Sequence, residues 1–209
     1  KLLHYRKRSL GGYKSEADGK DFFLSPDGKT NPNAELLATL ESFGRTDLHI
    51  GPLRQHPQCA FPERYRYLRS HIKELDEHVK PVRCPEFEEW RSRFKPQSAT
   101  IVFASAYLNN PASLFGHTFL RIDSEPRPGH TEKNDLLDYG INYAANAGDD
   151  GGITFAFLGL VGGYPGYFSL LPYFKKVNEY SDGESRDMWE YKLGLNPEQI
   201  TRMINHIWE

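Results

Sequence analysis

"ATIVFASAYLNNPASLFGHTFLRID", residues 99–123, decides how the chain is read. Before it the apolar residues recur at helical spacing, and from Pro96 onward the period becomes two. Ala99–Leu108 is rich in β-branched and aromatic residues and predicts a strand. "NNPASLFG" carries turn chemistry, and "HTFLRID" predicts the next strand. Alternation puts His117, Phe119 and Arg121 on one face of that strand and Thr118, Leu120 and Ile122 on the other. The second face is apolar or β-branched and is expected in the core. The first has polar groups and is expected to line a cleft. Gly116 immediately before His117 permits the close approach of another backbone or a ligand.

Outward from this stretch the elements segregate. Residues 1–32 are polar and broken by Gly11, Gly12, Pro26 and Gly28, which predicts an irregular strap. A helix is expected from an N-cap at Asn33 to Gly44, burying Leu36, Leu37, Leu40 and Phe43. A second runs from Pro62 with Tyr65, Leu68, Ile72 and Leu75 as its stripe, and a short one follows Cys84. After the two central strands, "LLDYGINYAA" predicts a third and "MWEYKLGL" another. Between them "ITFAFLGLVGGYPGYFSLLPYF" is glycine-rich and apolar, with a tight turn at "GGYPG". It reads equally as core or as the lining of an acyl-chain groove. A last helix starts at Asn196–Pro197, with Ile200, Met203, Ile204 and Ile207 on one face, and no stop signal precedes Glu209. The fold class is therefore α+β: a strap and helical subdomain over residues 1–95, then a sheet-containing core over residues 96–209, together one compact domain.

Composition narrows the function. With 209 residues the chain can bury about 70% of its unfolded surface, enough for a full core. A net charge of −2 with both signs interspersed lacks the basic stripe of a nucleic-acid binder. The longest largely apolar run, Ile153–Val161, is too short to span a bilayer. The chain starts at Lys1 without a signal peptide, as a mature or trimmed protein would. Two cysteines lie 25 residues apart, with no CxxC and no zinc-type His/Cys spacing. They read either as two unrelated buried thiols or as one disulfide in an oxidising compartment.

Several groups are candidates for chemistry, and each has a plainer reading. His117 is either a general base or a hydrogen-bonded histidine at a strand start. Asn142 in "YGINYAA" either orients the histidine ring or bonds a loop. Ser113, four residues before His117, is a conceivable nucleophile, but "SLFGH" is not the GxSxG elbow and a serine there more often caps a turn. "EYSDGESRDMWEY", residues 179–191, packs five acids and one arginine into thirteen positions. It reads as a solvated, self-bonded loop rather than a carboxylate active site, and it lacks calcium-loop periodicity. A metalloenzyme built on His117 and His130 has no ligand spacing to support it.

"CAFPERYRYL", "ATIVFASAYLNNPASLFGHTFLRID", "INYAANAGDDGG", "GGYPGYFSLLPYFKKVNEYSDGESRDMWEY" and the helix after "LGLNPEQI" together resemble the Lnb N-terminal periplasmic domain family. The family is linked by name to a bacterial lipoprotein N-acyltransferase. It is similar to circularly permuted papain-like enzymes of the NlpC/P60 and lecithin-retinol-acyltransferase type. The resemblance implies a permuted papain-like core in which the base histidine comes early, the orienting residue follows on the next strand and the nucleophilic cysteine comes last. It makes His117 the base and Asn142 the orienter, and places the cysteine just beyond the last helix, so the nucleophile helix is expected to be missing from these residues. Tyr107, Ser113 and Arg121 are then expected to meet substrate. The implied function is a cell-envelope acyltransferase or hydrolase with a Cys-His thioester mechanism, acting on a lipid or lipoprotein, without metal or cofactor. The other class kept open is a non-catalytic binding module for lipoprotein or peptidoglycan peptide. The implied location is the periplasm, within a protein that is membrane-associated or rests on a membrane surface. In that setting a Cys59–Cys84 disulfide is expected.

Overall fold

The computed structural model describes residues 2–17, 19–107, 116–126, 135–145, 157–158, 163–164 and 166–209. Its contacts divide into two compact units, one of residues 1–91 and 202–209, the other of residues 92–201.

The first unit begins with a hairpin, not an irregular strap. Strands β1 (Tyr5–Lys7) and β2 (Tyr13–Ser15) pair antiparallel, because Gly11 and Gly12 supply the positive φ of the turn. Helix α1 (Pro32–Gly44) is capped by Asn31, whose side chain accepts from the Ala34 amide at 3.1 Å, rather than by Asn33. Pro32 in the first turn explains the earlier start. The expected apolar face is also corrected. Leu36 and Leu37 are 43% and 67% exposed, while Glu35, Thr39 and Phe43 are buried. Glu35 tolerates burial because its carboxylate accepts from the Leu24 and Ser25 amides and pairs with Arg64 at 3.0 Å. Short helix α2 (Pro57–Ala60) leads into α3 (Pro62–His71), a single turn α4 (Leu75–His78) and α5 (Pro85–Ser92). Phe43, Phe61, Leu68, Leu75 and Val79 form the core, with Tyr65 and Ile72 packed on it.

Gln58 braces this core by donating to the Phe43 and Lys80 carbonyls and accepting from the Val82 amide. Its neighbour Cys59 is joined to Cys84, as expected. Closing a loop across a separation of 25 residues stabilises by about 3.5 kcal/mol on the chain-entropy account. Thiol titration of the denatured, unreduced protein should find none, and Cys59→Ser with Cys84→Ser should lower stability by about that amount. Two titratable thiols in protein folded under oxidising conditions would contradict the pairing.

The second unit is a five-stranded antiparallel sheet in the order β6-β5-β4-β3-β7, which makes the protein a mixed α+β fold. The strands are β3 (Pro96–Ala104), β4 (His117–Ser124), β5 (Tyr139–Ala145), β6 (Gly166–Pro172) and β7 (Met188–Lys192). Strand β6 emerges from the glycine-rich apolar segment. Helix α6 (Tyr173–Val177) runs directly into a π-helical turn, Asn178–Gly183. The last helix, α7 (Pro197–Trp208), is capped by Asn196 in a reciprocal pair: Gln199 N–H donates to the Asn196 side chain and Asn196 N–H to the Gln199 side chain, both at 2.9 Å. Ile200 and Ile204 on its expected stripe are fully buried.

The face of β4 that carries His117 is more enclosed than alternation suggested. Phe119, Arg121 and Asp123 on it are buried, whereas Thr118 on the opposite face is exposed. The cause is the aromatic cover from α6 and the π-turn: Tyr173 and Tyr180 each lie 6.0 Å from the Phe119 ring, and with Val102 and Ala104 they form the core of this side.

Candidate functional site

His117 opens β4 opposite Ala104, the last residue of β3. Gly116 brings the chain there with φ of +83°, and a Cβ at that position would lie 2.7 Å from the Ala104 carbonyl oxygen and from the Phe103 ring. The close approach that glycine allows is therefore to the neighbouring strand. On β5, alternation puts Asn142 with Gly140 and Ala144, on the same face as His117, and Asn142 pairs across to Ser169 of β6. Asn142 is buried, and its Oδ1 accepts a hydrogen bond from His117 Nε2–H. That bond fixes the tautomer and ring plane, and leaves Nδ1 with a lone pair in the neutral ring. Nδ1 has no hydrogen-bond partner among the described residues.

The ring is walled by aromatics, Phe119 at 6.3 Å and Tyr180 at 6.1 Å. Tyr180 comes from the acidic segment, which is self-bonded as expected through Arg186 and Glu184 but folds as a π-turn and a strand rather than a loop. The π-turn swings Tyr180 inward, and burial raises its hydroxyl pKa. Lys176 Nζ donates to the Tyr180 hydroxyl at 3.3 Å, and the Arg186 guanidinium sits over the ring at 4.6 Å. Arg186 also donates to the Ser105 carbonyl at 2.6 Å and the Ala104 carbonyl at 3.2 Å, clamping the end of β3 beside His117. Both residues escaped sequence reading. The available signals were two tyrosines and one arginine set among five acids.

Arg121 lies on the same face, but its guanidinium is enclosed by carboxylates. It donates to Asp123 at 2.8 Å and to Glu190 at 2.7 Å, stands 3.7 Å from Asp135, and stacks over Tyr173. Burial disfavours its charge, but these acids outweigh burial and raise its pKa. Asp123 is likewise penalised by burial, yet bonds from Ser98, Arg121 and Thr100 hold it below the ordinary carboxylate range. Arg121 therefore ties β3, β4 and β7 together, and no substrate role is built on it. Tyr107 follows β3 and is partly buried; Ser113 lies outside the described residues, as does His130. Among the described residues no group of three or more His, Cys, Asp or Glu is placed to hold a metal.

The antiparallel sheet of this α+β domain thus presents a histidine bonded to an asparagine beneath an aromatic cover. The chain belongs to the Lnb N-terminal periplasmic domain family, whose model matches residues 86–209 and thus the whole sheet with His117 and Asn142. Residues 1–71 match a separate family, a domain of unknown function (DUF7843). Neither a curated protein nor a solved structure matches the chain. The family places the domain in the periplasm, where a disulfide is at home. No helix among the described residues is long and apolar enough to cross a membrane.

Proposed function

We propose that this domain supplies the histidine and asparagine of a papain-like acyl-transfer site, with the cysteine supplied from outside these 209 residues. The observation that carries the reading is the His117–Asn142 bond, which occupies Nε2 and reserves Nδ1 for a proton. Both cysteines present are consumed by the disulfide, so neither offers a thiolate. In the proposed cycle Nδ1 takes the thiol proton and the sulfur attacks an acyl ester carbon. The C–S bond forms, the C–O bond breaks, and the alkoxide leaves with the proton from the imidazolium. Attack by an amine or water then breaks the thioester, transfers the acyl group and regenerates the thiol. A lipid or lipoprotein ester is the substrate class that the resemblance implies, and the periplasmic setting is consistent with it.

The test compares two proteins with a thiol-reactive acyl probe and with a fluorophosphonate. The full-length gene product should label at a cysteine, while the 209-residue chain should label with neither reagent. A full-length product that lacks any further cysteine would remove the enzyme reading in favour of a binding module. Labelling of the short chain at Ser113 would make it a serine hydrolase instead.

A further inference from the structure

The hairpin of the first unit concentrates charge in an unusual way. Arg6, Lys7, Arg8 and Lys14 put four cations into nine residues, without an acid among them, in a chain of net charge −2. Arg6 and Lys14 stand directly opposite each other across the strands, a like-charge pair that weakens an isolated hairpin. Glu16 balances only one of the four, pairing with Arg6 at 2.8 Å on the open surface. At the tip Leu10 is 97% exposed, more than any other large apolar residue described, and Tyr13 beside it is half exposed. Gly11 and Gly12 have open space around them, so the tip projects freely. The root is firm: Ser15 is buried, donates to the Leu3 carbonyl at 2.6 Å and takes the Lys29 carbonyl through its amide at 2.8 Å.

From this arrangement we infer that the Tyr5–Ser15 hairpin docks on an anionic phospholipid bilayer, with Leu10 inserted and the four cations at headgroup level. Such a surface neutralises the like-charge pair and takes Leu10 out of water in one step. A protein partner fits the tip less well. A stable protein interface needs about 800 Å² from each side, and a convex tip with one leucine and one tyrosine does not offer that. A polyanion would answer the charges but leave Leu10 in water. Tyr13, with an apolar ring and a polar tip, suits the boundary between headgroups and acyl chains. His117 takes no part, so this inference and the acyl-transfer reading stand or fall separately.

The experiment is co-sedimentation of the 209-residue protein with vesicles of phosphatidylcholine, with and without one part in three of phosphatidylglycerol. Binding is expected only to the anionic vesicles and should weaken as salt is raised. Leu10→Ser should weaken it by about tenfold, and Lys7→Glu with Arg8→Glu by at least about twentyfold, at about fivefold per lost cation. All three side chains are exposed, so thermal unfolding should be unchanged in these variants. Lys73→Glu, an exposed charge elsewhere in the unit, should bind as the parent does. The inference is overturned by equal binding to neutral vesicles, by no binding to anionic ones, or by binding that survives both hairpin variants. It is also overturned if polyglutamate binds as tightly and is indifferent to Leu10→Ser, which would point to an acidic macromolecule.

Discussion

In the full-length protein, His117→Ala should slow labelling by the thiol-reactive acyl probe by about 10²–10⁴-fold, the range for loss of a positioned base. The thiol would then have to ionise unaided, and no group takes the proton back to the leaving alkoxide. Asn142→Ala should cost less, because the ring survives and loses only its tether. Without the bond from Nε2–H to Asn142 Oδ1 the ring can rotate and exchange tautomers, so only a fraction of molecules present a lone pair at Nδ1. The separating readout is chemical rescue. Added imidazole should partly restore labelling to His117→Ala, where it can take the place of the lost base, and should not help Asn142→Ala. Unchanged labelling in His117→Ala protein would refute the base assignment.

The second large effect concerns stability. Arg64→Met should destabilise the protein by about 3–5 kcal/mol, the cost of leaving a buried charge without its partner. Arg64 is almost fully enclosed, pairs with Glu35 at 3.0 Å, stands 3.9 Å from the Glu209 carboxylate and donates to the Phe22 carbonyl. Its guanidinium also packs on the Phe61 ring at 3.9 Å and the Phe22 ring at 4.3 Å. Removing it therefore leaves two enclosed carboxylates without their cation. Arg69→Ala is the contrast. Its pair with Asp76 is half exposed on both sides, and such pairs contribute about 0–1 kcal/mol. Denaturant unfolding should separate the two clearly. If Arg64→Met proved as mild as Arg69→Ala, the buried pair would not hold the unit together.

Strands β3, β4 and β7 and the stripe of α7 were legible because alternation and helical spacing each have one strong solution there. The kinship of His117 and Asn142 was legible only in part. Period two puts His117 with Arg121 and Asn142 with Gly140 and Ala144, but their meeting depends on the β4–β5 register, which turns and long-range pairing set. The buried face of α1 was misread because hydrophobicity stood in for burial. Glu35 and Thr39 are inside because the backbone and Arg64 satisfy them, and no local pattern announces such partners. Strand β6 was hidden in an apolar run that alternation does not mark. Tyr180 and Arg186 were masked by acidic neighbours, since composition describes a segment and the π-turn sorts it residue by residue.

The first unit takes its closing piece from a distant stretch of sequence, and this governs the order in which that unit can form. Residues 202–209 join a unit otherwise complete at Arg91, more than a hundred residues earlier. They bring Asn205 and Arg202 to the buried Glu63 carboxylate, Glu209 to the Arg64 amide and Trp208 to the Cys59 carbonyl. A chain emerging N-terminus first therefore carries this unit unfinished until residues 202–209 are made, and β3 likewise waits for β7 before its second edge is paired. Contacts of such long sequence separation slow folding. Clipping within the last two turns of α7 would therefore undo contacts with α2 and α3.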